Sequence, residues 1–251
     1  METKSSVRLV ETKCLNFKNL VVIIGFPDVG LVGTIVAHYI IDELKLDEIG
    51  HIESQLFPPI LVVHNEKIQN IIQINGNEHV IVFTSEIPIP LEILNDLANA
   101  IITWLTAKKA GMTYIIGGMP NQNRLEMKNI ATYAIPTTSR ASAILNKGNL
   151  QLFDEGVIMG MNALFLRKFF EEKSDGIALL ADSFLAFPDP ESSAVVIENL
   201  NKMLGWNIDI KKLIEKGEEI RLNARDLMKR TKENLNKMRE PKEEEIPMMY
   251  R

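Results

Sequence analysis

The strongest constraint on how this chain can fold is a run of five apolar residues, Leu20-Val21-Val22-Ile23-Ile24, that ends in a glycine-punctuated turn. Such a run, rich in β-branched side chains and bounded by glycine, reads as a buried strand. Gly25-Phe26-Pro27-Asp28-Val29-Gly30 makes the turn, and an amphipathic stretch from Leu31 to Leu44 follows it as a helix. The alternation continues. Ile60 to His64, Ile68 to Ile74, His79 to Thr84, Thr113 to Ile116 and Ile177 to Ala181 are strand candidates, and Leu91 to Lys109, Met161 to Glu171 and Pro190 to Leu204 have helical periodicity. Strands interleaved with helices predict an α/β fold, a mixed sheet flanked by helices. Asn75-Gly76-Asn77 reads as a hairpin turn, so the sheet is not expected to be purely parallel.

A chain of 251 residues, 46% of them hydrophobic, has the apolar material for one large domain, and residues 1–205 are read as that domain. After Trp206 the character changes. Residues 206–251 carry 12 basic and 10 acidic side chains, and from Ile210 to Arg239 there is no proline and a single glycine, Gly217. A long, exposed helical extension over 206–239 is predicted. Its apolar positions, Ile210, Leu213, Ile220, Ala224, Leu227, Thr231, Leu235 and Met238, recur at intervals of three, four or seven. A stripe this narrow suits either a helix lying on its own domain or an oligomer-forming bundle. Glu240-Pro241 ends the pattern, and residues 240–251 are expected to form a flexible tail.

Charge and cysteine usage exclude several functions. The net charge of −5, with a pI near 5.5, argues against nucleic acid as a partner, because phosphate binding rests on clustered Lys and Arg. Cys14 is the sole cysteine, so there is neither an internal disulfide nor a cysteine pair for zinc or redox chemistry. The polar stretch from Met1 to Glu11 lacks the apolar core of a signal peptide, and no apolar run approaches the roughly 20 residues that cross a bilayer. A cytoplasmic protein without membrane attachment is expected.

The turn from Gly25 to Gly33 lies where phosphate-cradling loops sit, between a strand and a helix N-terminus. Gly25 and Gly30 have P-loop spacing, yet Leu31 and Val32 stand where a Lys and a Ser or Thr would grip phosphate and magnesium. The G-x-G-x-x-G pattern of a dinucleotide fold is also missing. The loop therefore reads as a tight, closely packed turn, and no cofactor is expected. His38, His51, His64 and His79 have no metal-ligand spacing, and no G-x-S-x-G elbow offers a hydrolase nucleophile. Asp182-Ser183 ends a predicted strand, a position at which α/β enzymes often bind ligands. Asp189 is read as the cap of the helix that opens at Pro190. The alternative to a binding protein is a nucleoside- or nucleotide-handling enzyme that uses the Gly25–Gly33 loop with Asp182 beside it.

Three segments in order, Gly25 to Gly33, Gly117-Gly118-Met119-Pro120 and Asp189-Pro190-Glu191-Ser192-Ser193-Ala194, together resemble the proteasome assembly chaperone family, its archaeal members in particular. The likeness spans roughly residues 15 to 205. It implies a fold similar to purine nucleoside phosphorylases, no enzymatic activity, and an ATP-independent role on the α ring of the proteasome core particle, in some relatives as a homo-oligomer. Met249-Tyr250-Arg251 then matches the hydrophobic–tyrosine–any-residue (HbYX) tail with which proteasome activators and assembly chaperones dock. The physical handles are distinct: a terminal carboxylate for a lysine, a tyrosine ring with its hydroxyl, and a methionine for an adjacent apolar slot. Met249, Tyr250 and Arg251 are accordingly the expected proteasome-binding residues, with no catalytic, cofactor or metal residues.

Overall fold

A computed structural model describes residues 6–64, 66–145 and 150–239. Its centre is the strand expected from the sequence. Val21–Gly25 (β2) follows an edge strand, Val7–Glu11 (β1), and a single-turn 3-10 helix at Val29–Leu31 leads into helix α1, Val32–Leu44. Then come β3 (Asp47–Ser54), the short strands β4 (Val62–His64) and β5 (Lys67–Gln69), β6 (Ile72–Gly76), β7 (Val80–Ser85) and helix α2 (Leu94–Ala107). The second half consists of β8 (Met112–Pro120), β9 (Thr132–Pro136), α3 (Ser139–Leu145), β10 (Gln151–Leu152), α4 (Gly160–Glu171), β11 (Gly176–Ser183) and α5 (Pro190–Leu204). Three helices finish the described chain: the short α6 (Lys211–Glu215) and α7 (Gly217–Asn223), then α8 (Arg225–Arg239).

Nine strands form one mixed sheet in the order β1-β3-β6-β7-β2-β8-β11-β9-β10, while β4 and β5 pair only with each other. The middle four, β7, β2, β8 and β11, are mutually parallel, so their C-terminal ends share one edge. Both faces of this region are covered. Ile23, Val82, Tyr114 and Leu179 enter a core with α1 and α5, whereas Val22, Ile24, Phe83, Ile115 and Leu180 enter a second core with α2 and α4. Burial on both faces is why these strands read as unbroken apolar runs rather than as alternating ones. The turn at Asn75-Gly76-Asn77 is indeed a hairpin, joining β6 and β7 antiparallel, with the Asn77 side chain accepting from the His79 and Val80 amides.

Two expectations need correction. The run from Ile68 to Ile74 is two strands, β5 and β6, in different sheets, because the chain turns away at Asn70. The C-terminal extension is not one long exposed helix. It breaks at Lys216 and Ala224, where ψ relaxes to 9° and 1°, and the three pieces fold back across the domain. The cause is burial: Leu213 and Met228 are inserted into the first core and Thr231 is covered, contacts that a straight rod would leave wet. Asn234 adds a bond from its side-chain amide to the Ile89 carbonyl, 2.8 Å away. Residues 240–251, including Met249, Tyr250 and Arg251, lie outside the described residues. Among the described residues no helix is long and apolar enough to cross a membrane.

Since Met228 is packed like a core residue, Met228→Ala is expected to destabilise the fold by about 2–4 kcal/mol, read as a shift in urea unfolding. A change below ~0.5 kcal/mol, the level of an ordinary surface substitution, would mean that α8 is not part of the cooperative unit.

Candidate functional site

The shared C-terminal edge of the parallel strands is the place where open α/β sheets offer a ligand crevice. Here the chain fills much of that crevice with its own groups. The turn after β2 is pressed against the ends of β8 and β11. Gly30 adopts a left-handed φ of 63°, and a Cβ there would collide with the Ser183 hydroxyl; one at Gly118 would collide with the Val29 carbonyl. Leu31 also holds a left-handed conformation, φ 52°, at a cost of about 1–2 kcal/mol, and its side chain is completely buried in the core beside α1. The residue at the P-loop lysine position therefore anchors the turn from beneath.

Asp28 occupies the place an anion would take. One of its carboxylate oxygens accepts from the Gly33 amide (3.2 Å) in the first turn of α1, and the other from the Gly118 amide (2.6 Å) and the Asn162 side-chain amide (3.4 Å). The residue keeps an exposed margin, but its carboxylate is turned onto these donors. Burial pushes the carboxyl up to about 8, although all three donors favour the ionised form. Above Asp28 and Asn162 lies a cavity of about 30 Å³, roofed by Thr231, Asn234, Leu235 and Met238 of α8. That holds a water or two and not a nucleoside.

A second polar cluster secures the β11 end of the edge. Asp189, fully buried, receives the Arg124 guanidinium in a two-pronged pair, 2.8 Å from Nε and 2.9 Å from the second nitrogen. The same carboxylate accepts from the Ser192 amide (3.1 Å), which makes it the cap of α5, and from the Ser183 hydroxyl and Phe184 amide (3.3 Å each). Its own amide donates to the Gly30 carbonyl at 2.9 Å, tying α5 to the turn after β2. The Arg124 guanidinium also lies over the Phe184 ring, 5.0 Å from its centre. The capping role expected of Asp189 holds, and Arg124, which opens a single-turn 3-10 helix between β8 and β9, is an addition that sequence reasoning missed, since an isolated arginine carries no pattern. Asp182 is also buried. One oxygen accepts from the Asn121 side-chain amide (3.0 Å), while the other has no partner among the described residues. Burial, followed by the nearby Asp182 carboxylate, pushes the Tyr133 hydroxyl above its usual value.

Of the histidines, His38 and His64 converge on Glu86, at 3.2 and 3.1 Å. They hold the Glu86 carboxyl below its usual value against the opposing effect of burial. Among the described residues no group of three or more His, Cys, Asp or Glu is placed to hold a metal ion.

Residues 22–228 match the PAC2 family model. The chain belongs to the PAC2 family. An uncharacterized protein of Methanocaldococcus jannaschii is 29% identical over 243 residues, which cover 97% of this chain and 98% of that protein. Among solved structures, Pyrococcus furiosus PbaA, described as an archaeal homolog of proteasome-assembly chaperone, superposes with a TM-score of 0.84 at 26% identity, over 91% of this chain and 99% of its own. Pyrococcus furiosus PbaB, described as an archaeal proteasome activator, shares the PAC2 chain's fold with a TM-score of 0.73 at 20% identity, over 94% and 100%.

Two outcomes follow from this edge. Arg124→Met leaves Asp189 as an uncompensated buried charge and should cost about 3–5 kcal/mol in urea unfolding; a loss under ~1 kcal/mol would show that the remaining donors suffice. For Asp28, a carboxyl raised on folding binds its proton more tightly in the native than in the unfolded state. Its contribution to stability is present below an unfolded value near 4 and is lost as pH rises towards 8. Carbon-13 NMR titration of the Asp28 carboxyl should give a midpoint near 8, and a midpoint near 4 would mean that its three donors outweigh burial.

Proposed function

We propose that this chain is a non-enzymatic proteasome assembly chaperone or ATP-independent activator, a homo-oligomer that docks its C-terminal tails into the α ring of the 20S core particle. The observation that carries this reading is the similarity to PbaA across nine-tenths of the chain. The HbYX-type ending Met249-Tyr250-Arg251 supplies the docking chemistry. The proposed organisation is a core domain of residues 1–205, a helical extension over 206–239 and a docking tail over 240–251. Twelve residues follow Arg239, and fully extended they reach up to roughly 40 Å. A single three-residue contact is weak, because ordering a tail offsets much of what the tyrosine and carboxylate gain. Several tails on one oligomer dock intramolecularly after the first, which raises avidity by about a hundredfold or more.

The phosphorylase-like fold that the family resemblance implies does not extend this proposal to catalysis. Asp28 takes up the Gly33 and Gly118 amides that would face a phosphate, and α8 roofs the space a nucleoside would need. Phosphorolysis assays are expected to show no turnover; robust turnover lost on Asp182→Ala would establish the alternative enzyme.

Docking is tested by surface plasmon resonance against immobilised α rings. Tyr250→Ala, or removal of Met249 to Arg251, should abolish binding while leaving the unfolding midpoint unchanged. Equal binding by wild type and Tyr250→Ala would remove the tail from the mechanism.

A further inference from the structure

The edge of the sheet opposite the crowded one, where the parallel strands begin, holds a larger opening. Helices α2 and α4 both end there, beside the start of β8 and the residue before β11, and the four segments enclose a cavity of about 230 Å³. That is several times the roughly 30 Å³ a water occupies in the liquid, and less than the ~300 Å³ at which pockets for drug-sized ligands begin. Ile102, Leu105 and Phe169 give the cavity an apolar wall. Its polar groups lack partners. Thr113 is 1% exposed, yet its hydroxyl makes no hydrogen bond among the described residues, and the same holds for the hydroxyls of Thr106 and Ser174. A buried hydroxyl left unbonded is costly, and a ligand in the cavity would supply what is missing. Lys109 and Lys173 also line the space, and neither ammonium has an ion-pair partner among the described residues. Lys108, next in sequence, is by contrast held by Glu11 at 2.8 Å.

The two lysines hold equivalent and unfavourable positions. Each is the residue just past a helix C-cap, with a left-handed φ of 54° at Lys109 and 53° at Lys173, where glycine is the ordinary choice. The amides around them close the helix ends: Lys109 and Ala110 donate to the Thr106 and Leu105 carbonyls, and Lys173 and Ser174 to those of Phe170 and Phe169. The carbonyls that would repel an anion are thereby occupied. Nor does an acid neutralise the lysines. Asp175, the only carboxylate in the lining, accepts from Thr138 and Arg140 through its two oxygens. Glu171 pairs with Arg167 at 3.6 Å, and Glu172 lies outside the lining. Backbone strain retained at two lysines that share one cavity points to a binding role for their side chains. We infer that this cavity binds a compact oxyanion, a phosphate or a carboxylate carried on a few heavy atoms at most, held by Lys109 and Lys173 with the Thr113 and Ser174 hydroxyls as further donors. The ammonium groups supply charge-assisted bonds, and hydroxyls turn to donate as the anion requires. The volume excludes a nucleotide. The site uses neither the opposite edge of the sheet nor the tail, so it stands whether or not the chain docks on a proteasome.

Isothermal titration calorimetry of the full chain with inorganic phosphate, and separately with butyrate, tests the site and tells the two head groups apart. At least one of the two should bind saturably at millimolar concentration. Lys109→Gln with Lys173→Gln should weaken that binding at least about tenfold, the loss expected when charge-assisted bonds are removed, whereas Lys108→Gln should leave it unchanged. Thr113→Val should weaken binding while the midpoint of urea unfolding holds or rises, because it removes an unbonded hydroxyl from the interior. Lys109→Gly with Lys173→Gly relieves the backbone, so its midpoint should also hold or rise as binding is lost. Loss of binding without loss of stability separates a binding role from a structural one. Saturation by phosphate alone would assign a phosphate head group, and saturation by butyrate alone a short acid. No saturable binding of either probe, or a double Gln variant that binds as well as wild type, would overturn the inference.

Discussion

Everything at the C-terminal edge of the sheet depends on how closely the turn after β2 can approach its neighbours. The backbone of Val29 and Gly30 comes within contact of Gly118 and Ser183, at a separation that side chains at the two glycines would prevent. Once the turn is seated, the Gly33 amide of α1 and the Gly118 amide point at one small volume, and Asp28 is the residue that satisfies them. Leu31 pays for its left-handed backbone with a side chain buried under the same turn. A loop of this shape could cradle a phosphate elsewhere. Here its donors are used internally, which converts a ligand-binding geometry into a structural joint.

The second joint works by charge. Asp189 is at once the cap of α5, the partner of Arg124 and, through its amide, a tether to Gly30. A buried ion pair of this kind adds little net stability compared with apolar packing, because both ions lose their hydration. Its effect is positional: the fork of Arg124 fits one arrangement of the carboxylate, and the cap fixes where α5 begins. Asp28 and Asp189 together clamp the β2 turn from both sides, so the edge is occupied by the chain's own groups.

Legibility in the sequence followed the physics of burial. Strands covered on both faces, β2, β7, β8 and β11, announce themselves as continuous apolar runs, and the four helices that cover them have full amphipathic periods. Strands towards the margin of the sheet do not. β3 contains Asp47, Glu48, His51 and Glu53 because one of its faces meets water, and β1 lies within a stretch that reads simply as polar. The breaks in the C-terminal extension are illegible for a related reason. Its lack of proline describes local propensity, whereas the breaks at Lys216 and Ala224 come from where Leu213 and Met228 find apolar surface. At the site, Asp189 was legible as a cap from its place before Pro190. The partnership with Arg124 was not, since 65 residues separate the two.

The order of strands also has a consequence for synthesis on the ribosome. β2 is made early, yet its neighbour β8 begins at Met112, and β11 and α5, which complete the wall and cover one face, begin at Gly176 and Pro190. Apart from α1, the elements that bury Val21 to Gly25 are therefore distant in sequence, which is the topology that folds slowly. At translation rates of about 5–20 residues per second, the chain needs on the order of 10 s after β2 to complete β7 and β8, its two neighbours in the sheet. Until β7 and then β8 emerge, this apolar strand has an open edge on at least one side and is exposed to wrong pairing.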